Sequence, residues 1–180
     1  MSRYLKSREA ILSGAILVLI ALIAMRFPAF IAPKNLANVF NDTSPLIILA
    51  IGQMIVILTK CIDLSVAANL ALTGMVVSLL NIAAPDLPLV VTILVALSLG
   101  AVLGMVNGIL VWKLNIPPIV VTLGTMTIYR GIIFLISNGK WVNAHEMSPA
   151  FKALPRHVFL GFPLLSWFAL AVIIIAAVVM

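Results

Sequence analysis

The stretch 58-LTKCIDLSVAANLALTGMVVSLL-80 decides the fold. It sets Lys60 and Asp63 between two long apolar runs, and those runs do not alternate apolar with polar residues. The whole chain is of the same kind: 180 residues, 64% hydrophobic and 9% charged, with mean hydropathy +1.28. A soluble domain cannot bury that much apolar surface, so the bilayer is the solvent. Within a bilayer only helices and closed barrels satisfy every backbone group. Barrel strands alternate over about ten residues. The runs here are continuous and longer, which predicts an all-α, polytopic transmembrane bundle.

Outward from that stretch, about six spans are expected, with the whole chain, 1–180, as one transmembrane domain. The first covers Ala10 to Arg26 or slightly beyond and follows MSRYLKSRE, with Arg3, Lys6 and Arg8. No small-residue cleavage site follows it, so it reads as a retained span. By the positive-inside rule the N-terminus is cytoplasmic. Arg26 then falls at the outer interface. Span 2 is expected from Pro45 to Thr59, short enough for a tilted, broken or partly inserted helix. Span 3 is Leu64 to Ala83, span 4 Leu89 to Trp112, and span 5 Ile119 to Ser137. A polar loop, Asn138 to Gly161, precedes span 6 from Pro163. Alternation puts Lys60 and Lys113 inside, and Asp86 and the long loop outside. Span 6 reaches Met180 with no polar flank, which reads as a chain truncated at its C-terminus.

Several chemistries are not expected. One cysteine, Cys61, gives no internal disulfide and no cysteine metal cluster. His145 and His157 have no ligand spacing. No phosphate-binding loop and no nucleophile–base–acid grouping is present, so no catalytic residue, metal or cofactor is assigned. Net charge is +6, but the basic residues sit at the ends of apolar runs, where orientation and anchoring account for them better than nucleic acid does.

Ala96, Gly100, Gly104 and Gly108 recur every four residues in span 4. Small residues at that spacing let a second helix approach closely. Asn107 lies near that face. In span 3, Ser65, Asn69 and Thr73 share one face, and in span 5 so do Thr122, Thr125 and Tyr129. Two such stripes could line a hydroxyl-rich path for a neutral solute such as a sugar, or could simply bond helices together. Asp63 precedes the first turn of span 3, where a carboxylate meets orphan N–H groups and the positive end of the helix dipole. Lys60 can snorkel to the interface. Arg130, deep in span 5, needs a partner, a wet cavity or a route to the outer boundary. A direct Asp63–Arg130 pair is not expected, since the two lie toward opposite faces.

IDLSVAANLALTG (Ile62–Gly74) resembles the signature of permease subunits of bacterial sugar ABC importers of the ribose type. NGILVWKLNIPPIVVTLGTMTIYRGIIFLISNGKWV (Asn107–Val142) is similar to the second hallmark of that family, and its end looks closest to permeases for rhamnose-like sugars and autoinducers. The resemblance runs from about Asn35 onward. It implies a multi-pass inner-membrane subunit of about ten spans. It also implies a second permease subunit, cytoplasmic ATP-binding subunits that hydrolyse ATP in its stead, and a periplasmic sugar-binding protein that meets the outer loop. The chain departs from the pattern where Lys60 and Cys61 replace paired glycines and Ala67 replaces another. The loop that docks the ATPase follows the sixth span in the family, so the resemblance implies that the 180 residues stop short of it. Two other readings stay open: an amino-acid permease of the same superfamily, and a non-transporting membrane scaffold or remnant.

Overall fold

The computed structural model describes residues 8–179, so Arg3, Lys6 and Met180 lie outside the described residues. The described chain is helical except for short connections and one small hairpin. It divides into two units, residues 1–44 and 45–180.

In the first unit, α1 (Arg8–Arg26) carries apolar side chains on every side. Ile11, Leu17 and Leu19 are all exposed, the pattern of a helix whose solvent is lipid. Arg26 ends it, with its guanidinium 5.0 Å from the centre of the Phe27 ring. A 3-10 turn at Pro28–Ile31 follows, and Asn35 Nδ2 donates to the Phe30 carbonyl at 2.8 Å.

α2 (Pro33–Leu58) differs from expectation. It begins twelve residues before Pro45 and takes in the polar stretch PKNLANVFNDTS. Pro33 supplies the pre-set first turn. Pro45 falls inside the helix and has no N–H to return to the preceding turn. In that turn the Thr43 hydroxyl donates to the Val39 carbonyl and Ser44 Oγ donates to the Phe40 carbonyl at 2.8 Å. Polar residues there pointed to a loop; they are instead residues that bond back into their own helix.

The second unit is built on three helices: α3 (Val66–Ala83), α4 (Leu89–Leu114) and α5 (Pro118–Ser137). Pro88 and the Pro117–Pro118 pair fix the starts of α4 and α5, and Asn115 and Asn138 close their ends in the left-handed conformation, which asparagine tolerates. Each helix packs on the other two. Ala68 and Leu72 of α3, Leu103 of α4 and Tyr129 of α5 form the centre. With α2, these three are the four helices among the described residues long and apolar enough to cross a membrane; Ala10–Arg26 and Leu164–Val178 are shorter apolar helices. The all-α polytopic architecture is as the sequence predicted.

The expected polar loop after α5 has structure of its own. It holds α6 (Pro149–Ala153), a 3-10 turn (Leu154–Arg156), and a hairpin of β1 (Val158–Phe159) with β2 (Phe162–Pro163). Leu160 and Gly161 both take positive φ, as a two-residue hairpin turn requires. Trp167 of α7 (Leu164–Val179) donates Nε1–H to the Phe159 carbonyl at 2.9 Å and meets Phe159 and Phe162 edge-on.

Candidate functional site

The chain unwinds between α2 and α3. α2 ends in a Schellman motif: the Cys61 N–H reaches the Val56 carbonyl at 3.2 Å, and the Lys60 N–H reaches Ile57 at 2.8 Å. That motif needs a left-handed residue, and Lys60 takes it with φ 61°. A side chain in that region costs about 1–2 kcal/mol relative to a right-handed turn. The paired glycines expected here would carry no such cost. The Lys60 side chain is exposed.

Asp63 does not cap α3 in the expected way. Ser65 holds the cap position, with no capping bond from its own side chain. Asp63 Oδ1 instead accepts from Ser65 twice, from N–H and from Oγ–H, both at 2.7 Å. The first bond is an Asx turn, the local bond to the backbone two residues on. The carboxylate still lies by the N-terminus of α3, where the dipole favours it. Ser65 Oγ then accepts from Asn107 Nδ2 at 2.7 Å, tying α4 to the start of α3 across 42 residues. Ser65 is 1% exposed and Asn107 6%. Asn107 Oδ1 is buried with no hydrogen-bond partner among the described residues.

A partly open cavity of about 200 Å³ adjoins this chain of bonds. Asp63, Asn107 and Thr122 line it with Cys61, Ile62 and Pro118, and Gly104 and Gly108 form part of its α4 wall. A Cβ on either glycine would meet nothing within 4 Å. Gly100 differs: a Cβ there would lie 3.8 Å from Asn69 Oδ1. The small-residue stripe of α4 is therefore divided, with Gly100 in contact with α3 and Gly104 and Gly108 facing space.

The remaining candidates bond helix to helix or helix to itself. Asn69 Nδ2 donates to the Gly100 carbonyl at 3.2 Å, and Thr73 Oγ1 donates to Asn69 Oδ1 at 3.3 Å. Tyr129 OH donates to the Leu103 carbonyl at 2.8 Å. Thr122 and Thr125 bond back to Pro118 and Val121 of their own helix, at 2.8 and 3.1 Å. Arg130 is exposed on α5, and Ala96 is half-buried on α4. Of the residues named from the sequence, Asp63, Asn107, Thr122, Gly104 and Gly108 meet at the cavity; Ser65 stands behind them.

Two features went unread in the sequence. Gln53 Nε2 donates to the Asp63 carbonyl at 3.2 Å, while its Oε1 is buried without a partner among the described residues. Its signal was a single amide in an apolar run. At the far end of α3, Asn81 makes a reciprocal pair with Ser148: Nδ2 to Ser148 Oγ at 3.0 Å, and the Ser148 N–H to Oδ1 at 2.8 Å. Nothing in the sequence links these positions, which lie 67 residues apart. A larger hollow of about 490 Å³ lies in the loop, lined by Met147, Phe151, Lys152 and Arg156 among others.

Residues 35–180 match the family described as branched-chain amino acid transport system / permease component. The chain belongs to this permease family. It is 37% identical over 177 residues to the autoinducer 2 import system permease protein LsrC of Enterobacter sp. (strain 638), covering 98% of this chain and 50% of that one. The LsrC proteins of Salmonella typhi and Klebsiella pneumoniae are each 36% identical, over 95% and 97% of this chain and 48% and 49% of their own. The permease chain thus spans about half the length of the curated relatives it matches. No solved structure matches it. The resemblance to ABC sugar-importer permeases is borne out at the level of the family.

Proposed function

We propose that the chain forms part of the membrane pathway of an ATP-driven importer for a sugar or related small polar solute. The observation that carries this is the cavity at the α2–α3 break. A carboxylate, a buried amide and a hydroxyl meet there, inside a bundle whose outer surfaces are apolar. Irregular backbone at membrane depth is tolerated where protein or a water-filled cavity covers it. Asp63, Ser65, Asn107 and Thr122 would contact or position solute there. Asn69, Thr73, Thr125 and Tyr129 would hold the helices that shape the path, and Arg130 its exposed flank.

The relatives are named for autoinducer 2 import while the family description names branched-chain amino acids, and the lining of the cavity favours a neutral solute over an amino acid. An amino-acid zwitterion calls for complementary charges, and no basic side chain lines the cavity. In this reading the N-terminus, Lys60 and Lys113 are cytoplasmic in the bacterial inner membrane, and the loop of α6 and the hairpin is periplasmic. The partners are ATP-binding subunits, a second permease subunit and a periplasmic binding protein that meets the loop, where Lys152 and Arg156 suit a polar rim. The test is reconstitution of the permease with those partners. Stimulation of ATP hydrolysis by a pentose, hexose or related solute is expected. Stimulation only by amino acids, or by no solute, defeats the reading.

A further inference from the structure

The hairpin after α6 does not match the polar loop in which it sits. Its residues, VFLGFP at 158–163, bring no polar side chain. Four of them are exposed apolar side chains: Val158 at 60%, Phe159 at 55%, Leu160 at 75% and Phe162 at 44%. Contiguous apolar exposure of this kind marks a surface that a membrane or another molecule covers. The hairpin is also held in shape, although two strands alone are marginal in water. The Leu164 N–H donates to the His157 carbonyl at 2.8 Å, and Trp167 Nε1–H to the Phe159 carbonyl at 2.9 Å, with the Trp167 ring edge-on to both phenylalanines.

Three features of the molecule say what covers it. The patch is continuous with the apolar surface of α7: β2 runs into the helix with no residue between, and Phe168, Ile174 and Ile175 are at least half exposed. Charge stops at the edge of the patch. Lys152 and Arg156 precede it, both exposed, and no acidic residue lies between Glu146 and α7. Basic side chains beside an apolar insert match lipid phosphates on one side and acyl chains on the other. Phe159, Phe162 and Trp167 form one aromatic cluster, and a tryptophan with its N–H engaged is at home at the membrane–water boundary. A soluble partner would have to cover the hairpin while leaving to lipid the α7 surface that runs straight out of it.

We propose that the hairpin at 158–163 is a membrane anchor, with its tip at Leu160 seated among the headgroups and upper acyl chains of the bilayer. A two-residue turn leaves its central backbone groups unpaired, so the tip stops at that boundary and does not enter the hydrocarbon core. The loop is then held twice, at Ser148 by Asn81 and at the hairpin by lipid, and the residues between are what it presents to water. The anchor rests on the membrane bundle and not on import, so solute-stimulated ATP hydrolysis, or its absence, does not bear on it.

Spin labels test it. Cys61→Ser removes the single cysteine, and Leu160→Cys, Val158→Cys or Lys152→Cys then adds one at an exposed position, where a label displaces no buried side chain. The permease chain is held in nanodiscs of phosphatidylethanolamine and phosphatidylglycerol, with no other protein present. Labels at 160 and 158 should collide more with oxygen than with a water-soluble nickel chelate, and the label at 152 should do the reverse. Leu160→Asp should bring the 158 label into water, since a carboxylate at the tip opposes insertion. The anchor is overturned if the 160 label meets the chelate as readily as the 152 label does. It is overturned if shielding arises only when a soluble periplasmic binding protein is added, which makes the patch a protein-docking surface. It is overturned too if the 158 label stays shielded with Leu160→Asp, which means that the protein itself covers the hairpin.

Discussion

The two ends of α3 are built from the same kind of residue to different effect. At its N-terminal end an asparagine from α4 meets a serine, and one amide oxygen is left buried without a partner among the described residues. At its C-terminal end Asn81 and Ser148 exchange two bonds, and both ends of the Asn81 amide are used. Both asparagines are buried, at 6% and 4% exposure. A closed pair fixes a segment in place; here it pins the loop that carries α6. An open pair holds the helices with one bond and leaves a buried oxygen without a partner among the described residues. The difference shows that burial of a polar side chain does not by itself mark a binding site.

The largest effect expected from breaking this contrast lies at the closed end. Asn81→Leu strips the Ser148 N–H of its acceptor and should cost about 1–3 kcal/mol, as leaving a buried polar group unsatisfied does. Unfolding of the chain in mixed micelles would measure it, and limited proteolysis at 138–163 should quicken. Asn107→Leu at the open end should cost less, about 0.6 kcal/mol, the average for a hydrogen bond between membrane helices. The amide it removes is already half unsatisfied. If the two variants fall equally, or Asn107→Leu is the worse, the distinction between closed and open ends is lost.

A third substitution sharpens the comparison by changing backbone alone. The open end is approached through Lys60 at φ 61°, while α5, next to the closed end, finishes with Asn138 at φ 51° and Gly139 at φ 68°. Asparagine and glycine tolerate that region; lysine does not. Lys60→Gly should therefore stabilise by about 0.5–1 kcal/mol, the relief of strain less the flexibility that glycine adds to the unfolded chain. The same micelle unfolding decides it. A loss of stability on Lys60→Gly would mean that the exposed lysine side chain contributes more than its backbone costs.

How much was legible follows the same physics. Apolar length and breakers placed α3, α4 and α5 to within a few residues, because Pro88, Pro117, Asn115 and Asn138 act locally. The start of α2 was misplaced because Thr43 and Ser44 look alike in a loop and in a helix that they bond back into. Asp63 was found by its place before span 3, Asn107 beside the small-residue face of span 4, and Thr122 in the polar stripe of span 5. Their meeting at one cavity was not, since it depends on how α4 crosses α3. Asn81–Ser148 was invisible for a related reason: a bond between residues 67 apart leaves no periodic trace.

The smallest effect concerns charge, and it separates the two kinds of anchor in the loop. Glu146 Oε2 accepts the Asn143 N–H at 2.6 Å and Asn143 Nδ2 at 3.2 Å. Those bonds, the backbone one foremost, hold the Glu146 carboxyl below its ordinary range; a smaller opposing push comes from desolvation, and the His145 charge helps to lower it. A group whose folded pKa is depressed contributes stability above its unfolded pKa, and that contribution is lost as pH falls through the folded value. The turn at Asn143 should thus hold near neutrality and loosen in acid, below the ordinary glutamate range. Protection of the Asn143 amide against hydrogen exchange should fall there, and Glu146→Gln should flatten the dependence, since a neutral carbonyl accepts the same bonds without the charge. The Ser148 amide, held by the neutral Asn81 side chain, should keep its protection over the same interval. If Ser148 is lost in step with Asn143, the Asn81 pair does not hold the loop independently, and the closed end of α3 is no firmer than the turn beside it.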